Sequence, residues 1–259
     1  MSEKVSRLAK MLASDELKTR KLGHKLVLKL LRVKPKTEES ELTYENILGV
    51  CKGLHYSLWM QDKLLLQEDT VERIVKLLPL IASRETRVKF VAAMFETLAR
   101  EWENLDIWRV DKFMMSNMSL SPLFLQLARQ FFVKALMCTK KRSLSVKAVT
   151  DAVFDKVLNS DPNAAIDLKV HLCTVIGQEL PRNKDLPAVI LSFYKRTLAV
   201  LLTVARANDY ITCLTRLLLI LACLIRANRA VRAELSEQAL LLSTKHPLHR
   251  KTLCRISKM

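Results

Sequence analysis

Apolar residues return every three or four positions along almost the whole chain, the spacing of one helix face, and no segment shows the period of two of a half-buried strand. Ser2 can cap a first short helix carrying Val5, Leu8 and Leu12. A second runs from about Asp15 to Val33, with Leu22, Leu26 and Leu30 as its apolar stripe. Lys34-Pro35 ends it, because a residue before proline is pushed out of the α region. A polar, acidic loop leads to Thr43, which can cap a third helix with Ile47, Cys51, Leu54 and Leu58 on one face. The fourth carries Val71, Ile74, Leu78 and Ile81 with a kink at Pro79, and the fifth carries Val88, Val91, Phe95, Leu98 and Trp102. Asp106 can cap a short sixth helix holding Phe113 and Met114. Ser121-Pro122, an N-cap followed by proline at the first helical position, opens a seventh that reaches about Cys138.

The second half continues in the same manner. Val146, Val149, Val153 and Val157 mark an eighth helix. Asp161-Pro162 opens a ninth with Ile166, Val170, Cys173, Ile176 and Leu180. Leu186-Pro187 opens a tenth reaching Ala205. Asn208-Asp209 starts an eleventh with Ile211, Leu214, Leu218, Leu221 and Ile225. A twelfth passes through Val231, Leu235 and Leu242, and Pro247 then introduces a basic end. The expectation is an all-α chain of about twelve helices, with successive pairs spaced about 40 residues apart, near the period of HEAT-type repeats. This predicts an α-solenoid of HEAT-like antiparallel helix pairs over residues 1–243, followed by a short basic segment at 244–259.

Glycine supports the helical reading by its scarcity. Only four occur, at 23, 49, 53 and 177, too few for the tight turns of a β-rich fold or for a phosphate-cradling loop. The formal charge is +17, unevenly spread. Residues 1–36 hold eleven Lys and Arg against three acids, and residues 131–259 hold twenty-one against nine. Residues 37–106 reverse the sign, with thirteen acids against eight cations. A field of this kind attracts polyanions, RNA among them, and a solenoid would set acidic and basic regions apart along one surface. The plainer alternative is that the cations solvate helix faces.

Four of the six cysteines, Cys51, Cys173, Cys213 and Cys223, sit among apolar residues in helical register, as small buried hydrophobes of a reducing compartment do. The N-terminal stretch lacks the apolar run of a secretory signal. The most apolar run, Leu217 to Ile225, is shorter than the roughly 20 residues a membrane span needs, so it reads as a core helix and no membrane partner is expected.

Candidate chemistry is sparse. No dinucleotide, phosphate-loop, zincin or serine-hydrolase motif is present, so no catalytic residue, cofactor or small-molecule substrate is expected. His246, His249 and Cys254 could approach a metal, but zinc usually takes four ligands and no fourth lies nearby, so no metal is expected. His171, in mid-helix, reads as a hydrogen-bonded structural residue. Trp102 continues the fifth helix's stripe into the core, whereas Trp59 and Trp108 belong either to an interface or to the core rim. The basic elements are Lys18 to Lys36, Lys140 to Arg142, and Lys245 to Lys258. Within them Lys140, Lys141, Arg142, Lys245, Arg250, Lys251 and Arg255 are the candidate contacts to RNA phosphate. No exposed aromatic stack accompanies them, so base-specific reading is not expected. For Lys140-Lys141-Arg142 a solvated loop weighs equally with an RNA contact, and the same triplet could serve in nuclear import.

Three stretches resemble the ribosomal RNA processing protein 1 family of nucleolar proteins. Cys51-Lys-Gly-Leu-His-Tyr-Ser-Leu-Trp-Met-Gln-Asp-Lys63 is similar to that family's W-K-G-L-(F/Y)-Y-x-M-W-x-(S/A)-D-K. Arg100-Glu-Trp-Glu-Asn-Leu-Asp-Ile-Trp-Arg-Val-Asp-Lys-Phe113 resembles its E-W-x-x-(I/L)-D-x-x-R-(L/M)-D-K-F and is the most specific of the three. Ile166-Asp-Leu-Lys-Val-His-Leu172, continuing to Glu179-Leu180, resembles a G-(L/I)-x-x-H-(L/I) segment ending in E-L. The chain departs from these patterns at Cys51 in place of tryptophan, Leu64 in place of proline, Met114 to Asn117 in place of arginines, and Ala165 in place of glycine.

The resemblance implies a non-enzymatic, nucleolar assembly factor of the large ribosomal subunit that supports pre-rRNA processing and binds other assembly factors and pre-rRNA. It singles out Lys52, Gly53, Tyr56, Trp59, Asp62, Lys63, Trp102, Asp106, Trp108, Arg109, Asp111 and Lys112. These residues either contact a partner or hold adjacent repeats in register. The alternative function is a helical-repeat adaptor that binds only proteins.

Overall fold

The computed structural model describes residues 3–35, 37, 41–102, 121–161, 164–183, 186–204, 209–225 and 240–257, and all regular structure among them is helical. The first helices are α1 (Glu3–Leu12), α2 (Leu17–Arg32), α3 (Tyr44–Trp59), α4 (Leu64–Leu80), α5 (Arg84–Arg100) and α6 (Ser121–Lys140). They are followed by α7 (Val146–Lys156), α8 (Ile166–Glu179), α9 (Pro187–Thr203), α10 (Asp209–Ile225) and α11 (Arg250–Ser257). Residues 240–245 are also helical. The Ser2 cap, the predicted helix at Asp106 to Met114, and Val231 and Leu235 lie outside the described residues.

Local signals place the helix ends. Thr43 accepts the Asn46 N–H at 3.3 Å, and Ser83 accepts that of Thr86 at 3.2 Å, so each cap satisfies an otherwise orphaned donor. Pro187 starts α9 where its missing N–H is not needed. Pro79 falls within the last turn of α4.

The chain divides into two compact units, Met1–Ala152 and Val153–Met259. In the first, each helix packs on the helix two places along as well as on its neighbour, as stacked repeats do. One row holds α1, α3 and α5, and the other holds α2, α4 and α6. Arg20 near the start of α2 reaches Gln61 just past the end of α3, so these two helices run in opposite directions. The Ala82 N–H meets the Leu31 carbonyl at 2.9 Å, so α2 and α4 end side by side. Ile47, Cys51, Leu54 and Leu58 of α3 are fully buried, as their spacing predicts.

The second helix overturns its predicted stripe. Gly23, Val27 and Leu31 face inward, whereas Leu22 and Leu26 are 49% and 37% exposed and Leu30 is half-buried. Both stripes satisfy helical periodicity. The buried one is chosen because Gly23 lets Leu12 of α1 approach, and because Arg20 on the same side bonds the Ser14 and Asp15 carbonyls, each at 2.8 Å.

In the second unit α10 is central and packs on α8, α9 and α11. Leu214, Leu218 and Leu221 are fully buried and Ile225 nearly so. Lys169 is 1% exposed, an unexpected place for a lysine. Its Nζ meets Asn159 Oδ1 at 2.9 Å and the Asp161 carbonyl, and lies 5.1 Å from the Tyr210 ring centre. The ammonium is thereby hydrogen-bonded, which burial of a charge requires. It fastens the loop before α8 to the core. That helix begins at Ile166, later than the predicted start at Asp161-Pro162.

Two of the cysteine expectations are corrected: Cys213 is half-exposed and Cys223 exposed, because α10 buries its opposite side. Cys51 and Cys173 are buried, and Cys138 joins them. The segment after residue 244 continues as structure: His246 is buried with Nε2 at 2.9 Å from the Leu201 carbonyl, and Leu253 of α11 is fully buried. No helix among the described residues is long and apolar enough to cross a membrane.

Two substitutions test this packing. A Cβ at Gly53 would stand 2.9 Å from Leu12 Cδ1 and 3.0 Å from the Ala9 Cα, a backbone atom that cannot step aside. Gly53→Ala should therefore lose about 1 kcal/mol in urea denaturation, overpacking exceeding the gain in helix propensity. Ala165, where the resembling motif carries glycine, has φ 50°. Ala165→Gly should gain about 1 kcal/mol in the same measurement, because only glycine occupies that region without penalty.

Candidate functional site

The first two family-like stretches meet at one carboxylate. Glu101, just past the end of α5 and 7% exposed, receives Lys52 Nζ at 2.9 Å on Oε1 and the Tyr56 hydroxyl at 3.1 Å on Oε2. Both donors come from α3, one helical turn apart, so a single side chain of α5 holds two of α3. One turn earlier Glu96 repeats the arrangement: the Tyr44 hydroxyl donates to it at 2.7 Å, and Arg100 pairs with it at 2.6 Å. The seam between α3 and α5 is thus closed by two shielded carboxylates, each holding a tyrosine and a cation.

Electrostatics follow from this geometry. Burial opposes ionisation of Glu101, but the Lys52 ammonium and the Tyr56 hydroxyl outweigh it and hold the carboxyl below its ordinary value of 4.5. Beside it, burial lowers the His55 imidazole to about 4, so the ring is neutral and stacks on Phe124 with centroids 4.4 Å apart. Burial also lowers His24 to about 4, with Arg73 adding to the effect, and its Nε2 lies 3.0 Å from Ser57 Oγ.

Beside the seam, over the contact between α1 and α3, lies an open groove of about 510 Å³, lined by Ser6, Ala9 and Lys10 of α1 and by Lys52 and Tyr56 of α3, with Arg100 of α5 at its edge. Trp59 is half-buried and packs edge-on to Tyr56 with centroids 6.2 Å apart. Trp102 is buried, as its stripe predicts. Gly53 lies against α1 and serves packing. Asp62 and Lys63 are exposed at the turn into α4, where the Lys63 carbonyl accepts the first N–H groups of that helix. The turn is held by Gln61, which accepts from Arg20 at 3.2 Å and whose carbonyl accepts from Gln67 at 2.9 Å. Asp106, Trp108, Arg109, Asp111 and Lys112 lie outside the described residues.

The phosphate candidates are all exposed, three in the first unit and four in the second. Lys140, Lys141 and Arg142 close α6. Arg142 takes φ 57°, its N–H reaches the Thr139 carbonyl at 2.9 Å, and Ser143 N–H reaches that of Cys138 at 2.9 Å, a Schellman ending. Cations there also complement the negative end of the helix. In the other unit Arg250, Lys251 and Arg255 lie on the outer side of α11, and Lys245 reaches back to the Leu202 carbonyl.

Sequence reasoning missed Glu101, Glu96 and Arg20 as organising residues. Glu101 had a signal, since it stands beside Trp102 in the most specific stretch. Glu96 and Arg20 each have near partners, Arg100 and the Ser14 and Asp15 carbonyls, but their links across helices, to Tyr44 and Gln61, join residues distant in sequence and leave no local signal.

Glu101→Gln should lower stability at neutral pH. Because the carboxyl of Glu101 is held below 4.5, its contribution is full above that value and lost as pH falls through the lowered one. The gap between wild type and variant in urea melts should therefore narrow steadily below that pH. A gap constant from neutral to strongly acidic pH would contradict this.

Comparison with known proteins adds identity to this geometry. Relatives named ribosomal RNA processing protein 1 homolog are similar to parts of the chain. The Caenorhabditis elegans protein is 47% identical over 70 residues, covering 27% of this chain and 18% of its own length. Homolog A of Mus musculus is 29% identical over 178 residues, or 68% of this chain and 34% of its own length. Homolog A of Homo sapiens is 27% identical over 175 residues, or 68% and 36%. The chain thus spans about a third or less of the length of these relatives. The family model described as nucleolar protein, Nop52, matches residues 3–240, almost all of the two units, and the chain belongs to that family of nucleolar proteins.

Proposed function

We propose that this protein is a non-enzymatic nucleolar scaffold of large ribosomal subunit biogenesis, supporting pre-rRNA processing by binding assembly factors and pre-rRNA. The observation that carries the reading is the family match over residues 3–240, and the relatives' shared name points the same way. The site geometry agrees with it. Lys52, Tyr56 and Glu101 are occupied with one another in holding two helices, a structural rather than an acid–base arrangement. Exposed cations at Lys140 to Arg142 and at Arg250, Lys251 and Arg255 suit the phosphate backbone of RNA, which is bound through such contacts without reading sequence. The half-exposed Trp59 and the exposed Asp62 and Lys63 suit a protein contact.

The test is a salt titration with fragments of large-subunit rRNA. Affinity should fall steeply with salt, and Lys140→Glu, Lys141→Glu and Arg142→Glu together should reduce the log–log slope by about three. An affinity unchanged by salt or by the triple variant would favour the adaptor that binds only proteins.

A further inference from the structure

Helix α2 carries two apolar stripes, and the fold uses one. Gly23, Val27 and Leu31 are buried, while Leu22 and Leu26, one turn apart, stand exposed together with Val33. On a helix of 3.6 residues per turn these three share a flank with Leu30. The stripe runs into a mainly apolar recess of about 300 Å³ lined by Leu30, Leu31, Val33, Pro35 and Leu42, with Lys34 and Thr86 as its polar members. Beside it runs a row of exposed cations: Lys18, Lys21, Lys25, Lys29 and Arg32. The helix contains no acidic residue, and none of these five takes part in an ion pair among the described residues. The neighbouring helices differ. In α4 and α5 the pairs Asp69–Arg73, Glu72–Lys76, Glu85–Lys89 and Glu96–Arg100 neutralise their own cations at i, i+4 spacing.

The position of the flank adds to this. Asp69 and Arg73 of α4 act on His24, so α4 occupies that side of α2. Leu22 and Leu26 point the other way, where no helix among the described residues packs in the row of α2, α4 and α6. We infer that the outer flank of α2 receives an acidic amphipathic helix from another protein, its apolar side chains seated on Leu22 and Leu26 and its carboxylates along Lys18, Lys25 and Lys29. The charges are complementary, and the added helix would continue a row already formed by helix-on-helix packing. RNA fits less well: phosphate oxygens would satisfy the lysines but would press against Leu22 and Leu26, which need an apolar partner.

This rests on the proposed reading that the protein acts by binding assembly partners. The experiment uses the full chain, tagged, with Leu22 replaced by a photoreactive benzoylphenylalanine in cells. The crosslinked product is identified by mass spectrometry, and the captured segment is synthesised and titrated by fluorescence anisotropy. The expected product is a protein segment with acids flanking apolar residues at helical spacing. Leu22→Ala with Leu26→Ala should weaken its binding about tenfold, as truncation of central anchors does. Lys18→Ala, Lys25→Ala and Lys29→Ala together should flatten its salt dependence. Neither variant should shift the melting temperature, since all five side chains are exposed. Crosslinks to rRNA, to a second copy or to the same chain would overturn the inference, as would no crosslink or unchanged peptide binding. Sedimentation with large-subunit precursors separates the two claims. If wild type fails to co-sediment, the functional reading fails. If wild type and the leucine variant co-sediment equally, only the docking surface does.

Discussion

Close approach on both sides of α3 is the constraint on which the first unit depends. A helix in the middle of a row must meet neighbours on two flanks, and α3 does so by different means. Toward α1 it presents Gly53, whose missing side chain admits Leu12 and the backbone at Ala9. Toward α5 it presents Tyr44, Lys52 and Tyr56, which Glu96 and Glu101 receive. Between these flanks the stripe of Ile47, Cys51, Leu54 and Leu58 is sealed from water. The apolar burial drives association, and the glycine and the carboxylates fix the register in which it occurs.

This division of labour separates residues that build from residues that remain available. A carboxylate that is 7% exposed and engaged by an ammonium and a phenol is committed to the scaffold. Lys18, Lys21, Lys25, Lys29 and Arg32 of α2 are exposed, as are the cations of α11 and of the end of α6, and α2 has no carboxylate of its own to neutralise its row. By leaving the row of α2 unneutralised while α4 and α5 pair their own cations, the first unit keeps a long-range field for other molecules. Helical stacking suits such a role, because each added helix extends the surface without disturbing the contacts already made.

Much of the fold is written in local periodicity. The stripes of α1, α3 and α10, the Thr43 cap and the proline at the start of α9 are consequences of neighbours in sequence, and a linear reading finds them. The reading went wrong on α2, where two stripes compete and the contacts that decide between them come from Leu12 and, through Arg20, from Ser14 and Asp15. It also missed Lys169, whose burial is tolerable only because Asn159 and the Asp161 carbonyl are brought to it in space. Within the family-like stretches, Tyr56, Lys52 and Trp102 were visible as a set, but their common partner Glu101 emerged only when the ends of α3 and α5 came together.

The sequence by itself therefore determined the helical class, the positions of most helix ends, the basic character and the family, because each rests on spacing, composition or motif. The tertiary structure decided which face of α2 is core, which carboxylates are shielded and which lysines stay in water. Those outcomes depend on groups from different helices and loops arriving within a few ångströms of one another, which no periodicity encodes.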